Sequence, residues 1–442
     1  MPSQKPPLYY NLGAITRETG LHPDTLRAWE RRYDLPQPTR SEGGQRLYSQ
    51  RDLEIVRWLV KQQETGLRIS QAADLFRTQI EAGIDPIEEA RKANLNSITP
   101  VVEGENVAAY RNAWVEASMN FDNMKADQVL TEAFSMFPPE TVCFEIMFGG
   151  LSELGVKWYE GQATVQQEHY ASALVSRRLN ALIAGTPPPN RREKIVIAAP
   201  PDEDHMLASL LMTFLLRRRG YDVVYLGADV PLENFRLTIE ELGPHLVILT
   251  AHLLVTAAGL LELANELEGL ETRLAYGGPI FHRIPELRQN IPGAYLGDDL
   301  KKVVAAIEDI LRSPAGAVQP VHPDLPPYLE QLRTQMPVIE SRVNAAMENY
   351  PLILSAPNHY ISRYIFSAIQ LGDISYLMSD LEWAYGLLTN FKMPADMLVD
   401  FLHTYAQAIE DAVDSTAGPL VDWLHEGARE IAEFNGAGKR SS

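Results

Sequence analysis

Between residues 185 and 194 the hydrophobic period of the chain changes, and that change constrains the fold more than any other feature. Up to Gly185, TVQQEHYASALVSRRLNALIAG repeats apolar residues at helical spacing. TPPPNRRE then interrupts it, because consecutive prolines cannot continue a helix. Beyond it, KIVIAAP (194–200), YDVVYLGADV (221–230), HLVILTAH (245–252) and RLAYGGPIF (273–281) are short apolar runs separated by helical patterns, and GAYLG (293–297) is a fifth. Strand and helix in alternation predict an α/β doubly wound parallel sheet over 192–314. Ligands of such sheets sit beyond the carboxyl ends of the strands.

With 442 residues the chain exceeds one core and divides into roughly three domains at ~100–200 residues each. No apolar run reaches the ~20 residues of a membrane span, and MPSQKPPLYYNLG lacks the layout of a signal peptide. The single cysteine, Cys143, lies in an apolar helical stretch and fits a reducing, cytoplasmic setting as a structural thiol. The net charge of −19 disfavours nucleic acid, but it is unevenly spread. Residues 1–77 hold 12 Lys and Arg against 9 Asp and Glu, or +3, which leaves −22 on the remainder. A mildly basic head on an acidic body is a charge asymmetry that directs attention to the head.

That head, over 8–77, reads as short helices. Ile15 opens the first, Gly20 stops it, and Pro23 and Asp24 begin a second that runs TLRAWERRY, which is helix-turn-helix spacing. PTRSEGGQRLYS follows as a Gly-Gly turn between extended pieces, a β-wing, and amphipathic helices fall around 51–64 and 69–77. The candidate DNA contacts are Thr25, Arg27, Trp29, Arg31, Arg32 and Tyr33 on the second helix, with Arg40, Arg46 and Tyr48 of the wing. Arg and Tyr bond phosphate oxygens, and Arg also reads guanine edges. The plainer reading is a solvated helix in which Arg27, Glu30 and Arg31 pair among themselves.

Over about 65 residues, through TLRAWERRY, the following Pro-x-Arg, GGQRLYS and DLEIVRWL, the head resembles the MerR family of winged-helix transcription regulators. The resemblance implies double-stranded operator DNA bound by a homo-oligomer, dimer or tetramer. The chain shows no sustained heptads after the head, so oligomerisation is placed elsewhere. Residues 78–107 are polar and read as a linker, and 108–186 carry helical patterns that predict a four-helix bundle.

The chemistry of the sheet gathers at its strand ends. PDEDHMLASLL follows the first strand and places His205 two residues after Glu203. Thr250 ends the third strand, and Gly277 and Gly278 end the fourth. Imidazole is the commonest metal ligand, a carboxylate can hold its second nitrogen, and glycines admit a bulky ligand to the backbone. A loop histidine beside acids is more often an ordinary surface residue. The combined pattern resembles the cobalamin-binding domain of methionine synthase and its relatives, whose motif is Asp/Glu-x-His-x-x-Gly, then Ser-x-Leu, then Gly-Gly. The resemblance implies His205 as lower cobalt ligand, Glu203 as its partner, Thr250, Gly277 and Gly278 as the channel for the cofactor's tail, and the four-helix bundle as a cap. Three positions depart from the motif: Ala208 for Gly, Thr250 for Ser, and His252 for the apolar residue of the tail groove.

Head, cap and sheet in this order, over residues 8 to about 314, resemble the CarH/LitR light-sensing repressors. Their cap carries Trp, nine residues, then Glu-His, matched here by Trp158, Glu168 and His169. By this resemblance Trp158 lies over the upper face of an adenosylcobalamin, Glu168 accepts from its ribose and His169 lines the same pocket. Tyr159 stands where the family has a second cobalt-capturing histidine. The expectation is a cytoplasmic, non-enzymatic photoreceptor repressor with no membrane partner. The alternative is a cobalamin-independent regulator whose degenerate fold docks an antirepressor protein or another tetrapyrrole such as a bilin.

Beyond the Pro-rich SPAGAVQPVHPDLPP, residues 327–436 form further helical patterns with a rhythm like that of the cap. Dimerisation or pocket closure is the favoured reading of this C-terminal helical domain. A second chromophore pocket using His359, His403 or His425 is the alternative.

Overall fold

A computed structural model describes the chain except residues 1–9, 11, 20, 41–44, 65–66, 82, 84, 88–104, 348–354, 380, 382–384, 387–389, 391–395 and 439–442. The chain separates into two units, Met1–Pro100 and Val101–Ser442.

In the first unit α1 (Leu12–Thr19) and α2 (Pro23–Tyr33) are followed by β1 (Thr39–Arg40), β2 (Arg46–Leu47), α3 (Gln50–Glu64) and α4 (Ile69–Glu81). α2 begins where its sequence directs: His22 accepts the Asp24 N–H and Pro23 supplies the preset φ of a first helical residue. The helix ends at Asp34, which adopts the left-handed conformation at φ 54°. β1 and β2 pair antiparallel, Thr39 opposite Leu47 and Arg40 opposite Arg46, to make the wing. Its Gly43-Gly44 turn and Gly20 lie outside the described residues. α1 starts three residues before Ile15, because Ile15 is a core residue rather than a helix opener.

Ile15, Leu26, Trp29, Tyr48, Val56 and Leu59 form this core. Two readings are thereby corrected. Trp29 is 4% exposed and Tyr48 is 0% exposed, so both pack the head instead of facing DNA. The Tyr48 hydroxyl donates to Glu30 Oε1 at 2.6 Å, and Arg46 Nε donates to Glu30 Oε2 at 2.8 Å. The wing is thus pinned to α2 through one carboxylate. Glu30→Ala strands the buried hydroxyl and is expected to cost about 2 kcal/mol. Accelerated amide exchange at residues 46–48 of the full chain checks this, and unchanged exchange there would refute it. The linker expected over 78–107 begins later: α4 continues to Glu81 and Ile87 packs into the same core, while 88–104 lie outside the described residues.

The second unit opens with the cap: α5 (Glu105–Met119), α6 (Asn123–Met136), a helical turn Pro139–Thr141 leading into a π-helical stretch Val142–Phe148, α7 (Gly149–Tyr159) and α8 (Val165–Ala184). A Thr164–Gln167 capping box starts α8, satisfying two end amides that would otherwise lack partners. Gly150 lets α7 approach α5 closely, since a Cβ there would come within 2.7 Å of the fully buried Trp114 ring. Cys143 is buried in the π-helical stretch, and burial pushes its thiol up to about 12, which suits a structural role.

The sheet consists of β3 (Lys194–Ala198), β4 (Asp222–Gly227), β5 (Leu246–Thr250), β6 (Glu271–Gly277) and β7 (Ala294–Tyr295), hydrogen-bonded in the order β4-β3-β5-β6-β7 and parallel throughout. β8 (Gly316–Ala317) joins β6 antiparallel, inside the Pro-rich stretch SPAGAVQPVHPDLPP. α9 (Leu207–Arg218) and α12 (Val303–Arg312) cover one face together with the cap. α10 (Phe235–Leu242) and α11 (Leu254–Glu266) cover the other. β5 is buried along its whole length, as a central strand covered on both faces must be. Leu246, Val247, Ile248 and Leu249 each contribute roughly 1.5–3 kcal/mol by burial.

The chain ends in α13 (Leu329–Ala346), α14 (Ser355–Gln370), α15 (Asp396–Ala412) and α16 (Gly418–Gly438), packed around Leu332, Ile339, Leu402, Tyr405 and Leu424. Among the described residues, no helix is long and apolar enough to cross a membrane.

Candidate functional site

The strand order reverses between β3 and β5: the chain leaves β3 for β4 on one side and returns to place β5 on the other. This switch point is where an open parallel sheet leaves a crevice at its carboxyl edge. The loops after β3 and β5 meet there. Asp202, left-handed at φ 63°, turns the first loop, and its N–H donates to Asp229 Oδ1 at 2.9 Å.

The turn directs Glu203 inward, where it is 0% exposed. Its Oε1 accepts from the His205 backbone N–H at 2.9 Å and lies 2.7 Å from His205 Nδ1. Its Oε2 accepts from the His252 N–H and the Thr256 hydroxyl, each at 2.6 Å. Burial alone would raise this carboxyl, but those hydrogen bonds overturn the effect and bring it down to about 2. An ionised carboxylate only accepts, so Nδ1 of His205 carries a hydrogen and Nε2 is the nitrogen that could bind a metal. The bond to Glu203 outweighs burial and raises the His205 pKa.

His252, read from the sequence as a polar intrusion into a tail groove, lies flat against His205 with ring centroids 4.3 Å apart and 14° between planes. Burial, and then the neighbouring His205, lower it to about 4, so it stacks as a neutral ring. Glu203, His205 and His252 are the one cluster of metal-ligating type among the described residues. Their ligand atoms lie within 4.8 Å of one another, and an imidazole held by a carboxylate is the usual setting of a metal-ligating histidine.

The ends of β5 and β6 supply Thr250, Gly277 and Gly278. Thr250 is 9% exposed and its hydroxyl lies 3.0 Å from that of Ser209. Gly278 sits at φ 129° against the backbone of Ala251, where a Cβ would fall 1.9 Å from the carbonyl oxygen. Only glycine tolerates that approach. At Gly277 a Cβ would meet only ordinary contacts, at 3.7 Å. Ala208 is half-buried in the first turn of α9.

Across the crevice, α8 packs along α9. Glu168 is near enough to His205 for its charge to help raise the imidazole. Ser172 Oγ donates to Glu168 Oε1 at 2.7 Å, and His169 Nδ1 lies 3.0 Å from Oε2. The structure therefore places Glu168 within electrostatic reach of His205, while the His169 side chain is 75% exposed. Trp158 and Tyr159 are half-buried at the end of α7. Sequence reasoning missed Thr256 and Ser209, and no motif marks either.

In the head, Arg27, Arg31, Arg32 and Arg40 are exposed, while Thr25, Tyr33 and Arg46 are half-buried. Arg27 pairs with Asp24 at 3.3 Å. In the C-terminal helices His403 and His425 meet at 2.9 Å between Nδ1 atoms on an exposed face, and the His359 side chain lies outside the described residues.

Three family models match the chain: "MerR HTH family regulatory protein" over residues 10–79, and "B12 binding domain" twice, over 110–183 and 193–303. The chain is 29% identical to the HTH-type transcriptional repressor CarH of Myxococcus xanthus, over 62% of its own length and 87% of that protein. It is 31% identical to the repressor CarA of the same organism, over 53% and 74%. A solved monomethylamine corrinoid protein of Methanosarcina barkeri aligns at a TM-score of 0.40 and 16% identity, covering 46% of this chain and 99% of that one. With a MerR-type head joined to a B12-binding cap and sheet, the chain belongs to the family of the CarA and CarH transcription regulators.

Proposed function

We propose that this regulator senses light through adenosylcobalamin held between cap and sheet, and that it acts as a repressor on operator DNA. The observation that carries the reading is the buried Glu203 holding His205 by Nδ1 at the sheet's switch point, with Glu168 of the cap near enough to act on the imidazole by its charge. His205 is the lower cobalt ligand. Thr250, Gly277 and Gly278 line the channel for the tail, and Trp158, Tyr159, Glu168 and His169 wall the upper side. The bound cofactor supplies a photolabile cobalt–carbon bond. The chain's own residues set what that lability does. A ligand spanning the crevice fixes the cap against the sheet, and the oligomeric state and DNA affinity shift only by the difference in its affinity for the two arrangements. Arg27, Arg31, Arg32 and Arg40, with Thr25 and Tyr33 beside them, form the DNA face.

Absorption of the full chain, incubated with adenosylcobalamin in the dark, desalted and then lit with green light, tests this. A retained corrin spectrum that changes on illumination is expected, with retention falling at least roughly tenfold in His205→Ala as a metal-anchoring ligand is lost. Cofactor that washes out of the wild type overturns the reading and favours a regulator whose sheet docks a partner protein or another tetrapyrrole.

A further inference from the structure

The C-terminal helices, outside all three matched segments, touch both the sheet layer and the cap. On the sheet side the attachment is broad and apolar: α14 lies along α11, and Ala368, Leu371 and Tyr376 join the core of that face. Asn290 Nδ2 donates to the Leu371 carbonyl at 2.7 Å and to the Tyr376 hydroxyl at 3.2 Å. From this seat Arg363 pairs with Asp202, the neighbour of Glu203. On the cap side the attachment is small and polar. Asn390 Nδ2 donates to the Tyr159 carbonyl at 3.0 Å. The Tyr159 hydroxyl lies over Gly386 so closely that a Cβ there would come within 2.0 Å of its oxygen.

The two attachments differ in kind. Burial of several apolar side chains fixes the C-terminal helices to the sheet, whereas on the cap the described residues show the Asn390 hydrogen bond and the close contact of the Tyr159 ring with Gly386. The residues held on the cap are those next to Trp158. We propose that Gly386 and Asn390 are positioning residues for the cofactor site: they set the Trp158–Tyr159 turn as its upper wall, so that the C-terminal helices complete the pocket. The proposal rests on the cobalamin reading above. Gly386 is required because any side chain would evict the Tyr159 hydroxyl. Asn390 holds the backbone, so its contact survives whatever the ring does.

The test uses the full chain as wild type, Gly386→Ala and Asn390→Ala; the second leaves the Gly386 packing intact should the first fail to fold. In the cofactor-free chain, amides of residues 155–162 are expected to exchange about fivefold faster in either variant, the worth of one hydrogen bond, with strand 194–198 unchanged. In the dark, bound adenosylcobalamin should dissociate faster by a similar factor. Unchanged exchange at 155–162 in both variants overturns the proposal. So does faster exchange with unchanged dissociation, since the turn would then move without the cofactor's responding. Wild type that retains no cobalamin brings down the cobalamin reading and this proposal with it, whereas retained cobalamin with indistinguishable variants brings down the positioning role alone.

Discussion

Glu203→Ala is expected to weaken cobalamin retention by roughly 10- to 100-fold, the usual cost of removing the partner of a metal-ligating histidine. The same change should destabilise the cofactor-free chain by about 3 kcal/mol, because buried donors are left unpaired. Both effects have one origin. Glu203 is 0% exposed and serves His205 through one oxygen, and the His252 amide and Thr256 hydroxyl through the other. Its carboxylate ties the loop after β3 to the loop after β5, so its loss frees the His205 ring to rotate and leaves the His252 N–H without an acceptor. Glu203→Gln separates the two effects. The amide keeps one accepting oxygen but turns an NH2 toward donors at one end, so the loops stay near one another while one cluster of bonds is lost. Equilibrium dialysis with cobalamin and urea unfolding without it measure the two quantities. Asp202→Asn, at an exposed neighbour, should leave stability within about 0.5 kcal/mol, as surface substitutions do. If Glu203→Ala retained cobalamin like wild type, the carboxylate would not be what aims His205.

Much of this arrangement was legible in the sequence because it follows from period and punctuation. IVIA and LVIL, within β3 and β5, are apolar at every position, which only strands covered on both faces tolerate, and the triple proline ahead of them separates cap from sheet. Glu203 and His205 stood out because they follow a strand directly. Thr256 did not, since a threonine in the first turn of an apolar helix is ordinary, and its bond to Glu203 spans 53 residues of chain. Trp29 and Tyr48 were misassigned for a related reason. In TLRAWERRY the aromatic and basic residues are interleaved, and spacing alone does not say which side of a short helix meets the core. That depended on the wing folding back so that Tyr48 and Arg46 reached Glu30. β8 was invisible because GA in a Pro-rich stretch carries no strand signal of its own, and its pairing comes from β6. His252 shows the limit of a motif. In the sequence it is only a polar residue where the motif has an apolar one, and the folded loop shows its ring stacked on His205.

The same correction sharpens what should happen at the head. Arg31→Ala with Arg32→Ala is expected to weaken binding to a mixed-sequence DNA duplex by roughly 10- to 100-fold, and to flatten the slope of log K against log salt by about 1.8, or about 0.9 for each phosphate contact removed. Both side chains are exposed and lie in the last turn of α2. Their removal also deletes two favourable charges at a helix C-terminus, worth only about 0.3–1 kcal/mol each. The head should therefore remain folded, because its core holds Ile15, Leu26, Trp29, Tyr48, Val56 and Leu59 and neither arginine. Trp29→Ala should abolish binding by the opposite route, since truncating a buried tryptophan costs about 3–5 kcal/mol and unfolds the head. Fluorescence anisotropy over a salt series, beside amide exchange in residues 12–64, tells the routes apart: a changed slope with protected amides for the arginines, and lost protection for the tryptophan. Because the chain carries −19 overall, the local basic face must act at short range against a repelling body, so binding should fall steeply with salt even in wild type. A double variant whose salt slope matches wild type would place the phosphate contacts elsewhere, on Arg27 or on the wing with Arg40.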